Sequence, residues 1–453
     1  MLQVISTYTA EKNTIQPCST LKLNDLWKYN IKTNEWTWLN GDSVPGKSAV
    51  YGVQGLASAS NSPGSRQWGS SWTDAIGNFW LFGGRTQNDY YYRNDLWKYD
   101  VRLNQLIWIK GDSVPGAASI YGTQGLAMAA NKPGGRAKGI TWADTLGNLW
   151  LFGGVATGGG MNDLWKYTIA TNNWTWVTGD TISAALPVYG TKKVANIANR
   201  PGGRQLACSW IDKYGKLWLF GGNVHYRYND ITDLNDLWKF DPSTTEWTWM
   251  SGDTTKNPWG VYGVKGIGQP QNKPGGRSFG NNWIDNTGNF WLSGGDGLGS
   301  HFSAGLLNDV WKYMPLVDRW IWMSGDSLAN SPSNFGALGV AAFTNDPGGR
   351  RDAMQWTDQT GNFWLFGGYS TYKAYNNDLW KYIPIVNPNL LVFSVFADQN
   401  RDGLKQPSEP FFHNASALIV KQSTGFSTNI SSSTGTFAFP VDSGTYTIRP
   451  ALP

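Results

Sequence analysis

The hexapeptide NDLWKY occurs six times, beginning at Asn24, Asn94, Asn162, Asn235, Asn308 and Asn377, with Val310 for Leu and Phe240 for Tyr as the only departures. Successive copies lie 68 to 73 residues apart. A period of that length is one supersecondary unit written repeatedly, so each residue is read as a member of a series. At 453 residues the chain exceeds one ordinary core, and the period makes an array closed on itself the expected solution.

The unit from Pro201 to Asp253 reads as four short strands. Strand a is QLACSWID, Gln205 to Asp212, and strand b is KLWLFGG, Lys216 to Gly222. Between them D-x-x-G predicts a tight turn, in which the Asp side chain accepts from the backbone ahead and Gly takes the left-handed conformation. Strand c is NDLWKF, and strand d is WTWM, Trp247 to Met250. Each of Arg66, Arg136, Arg204, Arg277 and Arg350 opens a unit and is followed six residues later by Trp72, Trp142, Trp210, Trp283 or Trp356. A four-stranded sheet buries too little alone, so such units are expected to stack radially, with the 27 Trp filling the space between them.

The P-x-x-R opening, the GG that ends strand b, the aromatic of strand c and the Trp of strand d resemble kelch repeats, of the kind that build galactose-oxidase-like propellers. The resemblance covers about residues 20 to 385 and implies an all-β, kelch-type β-propeller of about six four-stranded blades over residues 1–385. The Asp-box of sialidase-like propellers does not fit, because Asp74 and Gly77 are separated by two residues and that motif needs one. The first unit supplies only strands c and d and the last only a, b and c, so Leu2 to Ser6 or Leu390 to Phe393 is expected to substitute for a missing strand.

The b–c loops differ in every copy, and variation on a fixed scaffold is where specificity is normally placed. They carry Tyr90, Tyr91, Tyr92, Tyr226, Tyr228, Phe302, Tyr369, Tyr372 and Tyr375, aromatic surface suited to a glycan ring or a protein epitope. The d–a connections run over about 23 residues, longer than a compact domain normally uses, which marks the face they share with the b–c loops as elaborated. Their recurring V/I-Y-G, at Tyr51, Tyr121, Tyr189 and Tyr262, reads as scaffolding. Arg66, Arg136, Arg204, Arg277 and Arg350 are candidates for a cationic ring at the channel mouth, with pairing to neighbouring Asp as the competing expectation.

After Tyr382 the pattern changes, and residues 386–453 read as a second, truncated unit. Asp398, Asn400, Asp402, Gly403 and Glu409 complete D-x-[DN]-x-[DN]-G-x5-E, so Asp398, Asn400, Asp402, the Leu404 carbonyl and Glu409 are candidate Ca²⁺ ligands. The flanks are strand-like, and the segment resembles the calcium-binding Ig-like repeats of bacterial surface adhesins, a small β-sandwich. That resemblance implies an extracellular or cell-surface protein, part of a larger chain, even though Met1 to Asn13 carries no signal-peptide pattern.

A formal charge of +5 with no basic run argues against nucleic acid, and no apolar stretch approaches the roughly 20 residues that cross a bilayer. Cys18 and Cys208 give no disulfide framework. The expected function is adhesion or binding, to a protein or glycan, through the loop face, with calcium confined to the C-terminal unit and no cofactor in the propeller. No catalytic constellation is identified. A copper-radical oxidase or another carbohydrate-active enzyme is the alternative, for which only His225 and His301 lie in the variable loops.

Overall fold

A computed structural model describes residues 2–3, 22–86, 91–225, 231–371, 374–384, 389–400, 405–406, 409–412, 414–422, 425, 427–432, 435–441 and 445–451. The chain is all-β, with many small antiparallel sheets and no helix among the described residues, hence none that is long and apolar enough to cross a membrane.

Four sheets carry the full a–b–c–d order in sequence. They are Ser70–Thr73, Phe79–Thr86, Arg93–Asp100 and Gln105–Lys110; Ile140–Ala143, Asn148–Phe152, Leu164–Thr168 and Asn173–Thr178; Cys208–Ile211, Leu217–His225, Ile231–Asp241 and Glu246–Ser251; and Asn281–Ile284, Phe290–Leu298, Ala304–Met314 and Arg319–Ser324. Before them lies a sheet of Leu2–Gln3, Leu26–Asn30 and Glu35–Asn40, and after them one of Met354–Thr357, Phe363–Ser370 and Tyr375–Tyr382. Leu2–Gln3 takes the expected substitute position beside strand c. Asn389–Ser394 does not: it pairs with Thr436–Val441 in the C-terminal unit, so it supplies no fourth strand to the sixth sheet.

The invariant turn Asp and the glycine pair of the unit have local structural reasons. In the turn of the second sheet the Asp74 carboxylate accepts from the amides of Ile76 and Asn78 and from Trp80 Nε1, while Gly77 sits at φ +88°. The glycine pair after strand b forms a β-bulge at φ +65° and +91° in Gly221 and Gly222, where a Cβ on Gly221 would lie 2.7 Å from the Leu234 carbonyl oxygen. Strands b and c therefore run on past the bulge as a longer hairpin than the sequence pattern predicts.

The repeated Trp link neighbouring sheets. Trp72 Nε1 donates to the Trp150 carbonyl at 2.9 Å, Trp142 Nε1 to that of Trp218 at 3.1 Å, and Trp210 Nε1 to that of Trp291 at 3.3 Å. Trp283 stacks on Phe363 at 5.2 Å, and the sixth sheet meets the first through Trp364 and Tyr29 at 6.2 Å and through Phe366 and Trp36 at 4.9 Å. These contacts join the second to the sixth sheet in chain order, and the sixth also meets the first.

The long d–a connections are edge covers. Each folds back on itself, as in the Val50–Ser62 bridge, and those that precede the four complete sheets lie along the fourth strand of the following sheet: Gly55 N donates to Trp108 O, Gly125 N to Trp176 O, and Gly266 N to Trp322 O, all at 2.8 Å. Edge cover is thus one use of their length. An outer strand leaves one row of backbone groups unpaired, and these connections satisfy it.

Candidate functional site

The five opening arginines are not a cationic ring. Each is buried, and each guanidinium binds, through both terminal nitrogens, the Asp of its own NDLWKY motif: Arg66 with Asp95, Arg136 with Asp163, Arg204 with Asp236, Arg277 with Asp309 and Arg350 with Asp378. The same Asp accepts from the motif Trp, as Asp163 does from Trp165 Nε1, and from the connection Tyr, as Asp163 does from Tyr121 Oη. An acidic ligand finds no unpaired charge there.

Two residues beyond each Arg the sequence stops repeating. Trp68, Lys138, Leu206, Phe279 and Asp352 occupy that place, and all five have left-handed backbones, with φ between 57° and 61°. Non-glycine residues avoid this region, and such strain collects at ligand-binding positions. The backbones join in an arc across neighbouring sheets: Lys138 N donates to Trp68 O at 2.8 Å, Leu206 N to Lys138 O at 3.2 Å, and Phe279 N to Leu206 O at 3.1 Å.

Their side chains converge from sheets that are not neighbours. Lys138 Nζ lies 4.2 Å from the Trp68 ring centroid and 5.5 Å from that of Phe279. Arg351 spans Phe279 and Tyr369, at 5.3 and 5.1 Å, and pairs with Asp296. Burial pushes the Lys138 amine down to about 8, Arg351 adds to the effect, and Asp352 opposes it. Burial also raises the Asp352 carboxyl, against the pull of Lys138 and Arg351. The Asp352 residue is nevertheless exposed, so the cluster reaches solvent. Beside this cluster the buried carboxamide oxygens of Gln67 and Gln205 have no hydrogen-bond partner among the described residues. Asp233, on a b–c hairpin, has its carboxyl raised to about 6 by burial, with Asp296 adding to the shift.

Among the loop aromatics, Tyr369 and Tyr375 meet each other at 5.2 Å and reach this cluster through Arg351. Tyr91 is exposed and Tyr92 half-buried, its carbonyl accepting from Gly116 N. Phe302 is exposed, with φ +62°, and meets Trp259 edge-on at 5.1 Å. Tyr90, Tyr226, Tyr228 and Tyr372 lie outside the described residues. Lys138, Asp352, Trp68 and Phe279 were not among the sequence candidates. The signal that finds them is the one column beside the arginines that runs through aromatic, cation, aliphatic and acid.

In the C-terminal unit Asp398, Asn400 and Glu409 are described, and Asp402 and Leu404 lie outside the described residues. The Glu409 side chain is 4% exposed and turns back over the loop, accepting from Gln399 N at 2.8 Å and from Gln406 N at 3.0 Å. That places the last acidic position of the motif beside its second residue, Gln399. Elsewhere, Cys208 is buried with its thiol raised to about 12 by burial, and Cys18 lies outside the described residues. Among the described residues no three His, Cys, Asp or Glu converge.

The chain matches no protein-family model and no curated protein.

Proposed function

We propose that the six sheets are blades of a kelch-type propeller and that the protein is a surface-displayed binding protein, whose ligand, a glycan or a protein epitope, enters the recess lined by Trp68, Lys138, Phe279, Asp352 and Tyr369. The observation that carries this reading is the column of five left-handed, chemically different residues on units that otherwise repeat. Packing alone explains the repeated positions, whereas strain held at five variable positions calls for a role outside packing. Stacking surface from Trp68 and Phe279, with donors and acceptors from Lys138, Arg351 and Asp352, fits a polar ligand that carries flat apolar faces. The unsatisfied carboxamides of Gln67 and Gln205 are further acceptors at its edge. The test is a glycan and protein-array screen with the full chain, repeated with Trp68→Ala and Lys138→Ala. Each is expected to weaken the ligand found by about tenfold or more, the loss typical of a central aromatic or charged contact. Unchanged binding in both variants would show that the ligand sits elsewhere.

Residues 386–453 are proposed to be the Ig-like unit, in which Asp398, Asn400, Asp402, the Leu404 carbonyl and Glu409 hold Ca²⁺. When bound, the ion would cross-link the loop and stiffen the unit. Affinities of such extracellular sites are on the order of 10⁻⁴ to 10⁻³ M, which only a calcium-rich exterior saturates, and this supports surface display. Elemental analysis of the full chain dialysed against calcium is expected to give one ion per chain, with a melting transition that falls on chelation. Glu409→Gln should abolish both effects, and a melting curve indifferent to chelator would remove the ion from the account.

A further inference from the structure

Among the described residues the sixth sheet is one strand short, and its open side is already furnished. Its strand c, Tyr375–Tyr382, pairs with Phe363–Ser370 on one edge and with no strand on the other among the described residues. In the four complete sheets that second edge holds a strand with aromatic or aliphatic residues at alternate positions, Leu106 and Trp108 in one and Trp247 and Trp249 in another.

The connection that would cover the missing strand is nonetheless in place. In the complete sheets it touches the outer strand at fixed points. An asparagine side chain donates to one carbonyl, as Asn61 Nδ2 does to Leu106 O at 2.9 Å and Asn199 Nδ2 to Trp247 O at 3.1 Å. A backbone amide three to five residues beyond the connection Tyr donates two residues further on, as Gly55 N does to Trp108 O. That Tyr lies between two Trp, as Tyr51 does between Trp97 and Trp108 at 5.2 and 4.9 Å. The residue three beyond it covers the second Trp, as Lys192 and Lys265 do over Trp249 and Trp322 at 4.5 and 4.6 Å.

In the last connection the counterparts are Asn345, Gly339, Phe335 and Leu338. Asn345 Nδ2 reaches only the Val340 carbonyl, and the Gly339 amide has no partner among the described residues. Phe335 lies against Trp380 at 5.2 Å with its other face open. Leu338 and Phe343 are 102% and 104% exposed, although the other connections place Gln or Lys at the first position and no aromatic at the second. The connection is thus most apolar where the strand beneath it is missing.

We infer that the slot between Tyr375–Tyr382 and the 335–345 connection is a receptor for an added β-strand, and that its occupant is an extended peptide segment with aromatic residues at alternate positions. Backbone pairing along the open edge supplies affinity, and Phe335, Leu338 and Trp380 select the aromatic side chains. The inference stands apart from the proposed ligand site, which none of Phe335, Leu338 and Trp380 lines.

The probe is a synthetic peptide of the chain's own outer strand, STTEWTWMSGD, residues 243–253. Added to the full chain, it should form a saturable one-to-one complex, raise the melting temperature and slow hydrogen exchange across residues 375–382. Replacing both peptide Trp by Ser, or Leu338→Asp in the protein, should weaken it about tenfold or more. Leu338 is fully exposed, so that variant keeps the parent melting temperature when alone. Absence of saturable binding, binding indifferent to those changes, or 375–382 amides already protected without peptide because another part of the chain fills the slot would each overturn the proposal. So would a dimer in sedimentation velocity that excess peptide leaves intact.

Discussion

At the residue scale the invariant NDLWKY motif is a buried electrostatic knot. Arg136 and Asp163 are both fully buried, with contacts of 2.6 and 2.8 Å between guanidinium and carboxylate, and the remaining lone pairs are taken by Trp165 and Tyr121. Removing one member strands the other without water, at a cost of about 3–5 kcal/mol. Asp163→Asn is therefore expected to lose that much stability in urea unfolding, and the double replacement Arg136→Met, Asp163→Leu to lose clearly less than the single one. Equal losses would mean that the charge itself is not the liability. Asp233 gives a pH signature. Its carboxyl rises above the ordinary aspartate range to about 6 in the folded chain, chiefly through burial. The folded state then holds a proton that the unfolded state releases, so stability falls as pH rises through that window. Asp233→Asn should match the parent below about pH 4 and melt higher above pH 6, where the parent carries an enclosed negative charge.

At the element scale the repeated unit is a four-stranded sheet together with the connection that covers the edge of the next. The hinge of each connection is a glycine after the Tyr. At Gly122 φ is +63°, and an added Cβ would sit 2.3 Å from Asn131 Oδ1, the side chain that fastens the connection to Trp174 O. Gly122→Ala is expected to cost on the order of 1–3 kcal/mol and to speed hydrogen exchange along Asn173–Thr178, the strand it uncovers. The strand order and the D-x-x-G turns were legible in the sequence because each rests on contacts a few residues away and recurs, and the Trp that join the sheets, with partners more than 70 residues distant, were legible through their recurrence. The role of the connections was not. Nothing local says that Gly55 will meet Trp108 of the following sheet, so length alone read as elaboration. For the arginines the competing expectation, pairing with Asp, is the one observed; which Asp was not legible, since the partners lie about 30 residues ahead, inside the motif read as strand c.

At the scale of the whole molecule, repetition separates what holds the chain together from what distinguishes one copy from the next. The sixth sheet meets the first, and the assembled sheets bring Trp68, Lys138, Phe279 and Asp352 together. Those residues lie far apart in sequence, so only the assembled sheets reveal them as one site. The variable tyrosines expected on the loop face contribute through Tyr369 and Tyr375, on one hairpin beside that recess. The most direct measurement is hydrogen exchange of the full chain with and without the ligand found by array screening. Binding at the recess predicts protection in the segments around residues 66–70, 136–140, 277–281 and 350–353 together. Protection confined to the outer connections, with those four segments unchanged, would contradict it.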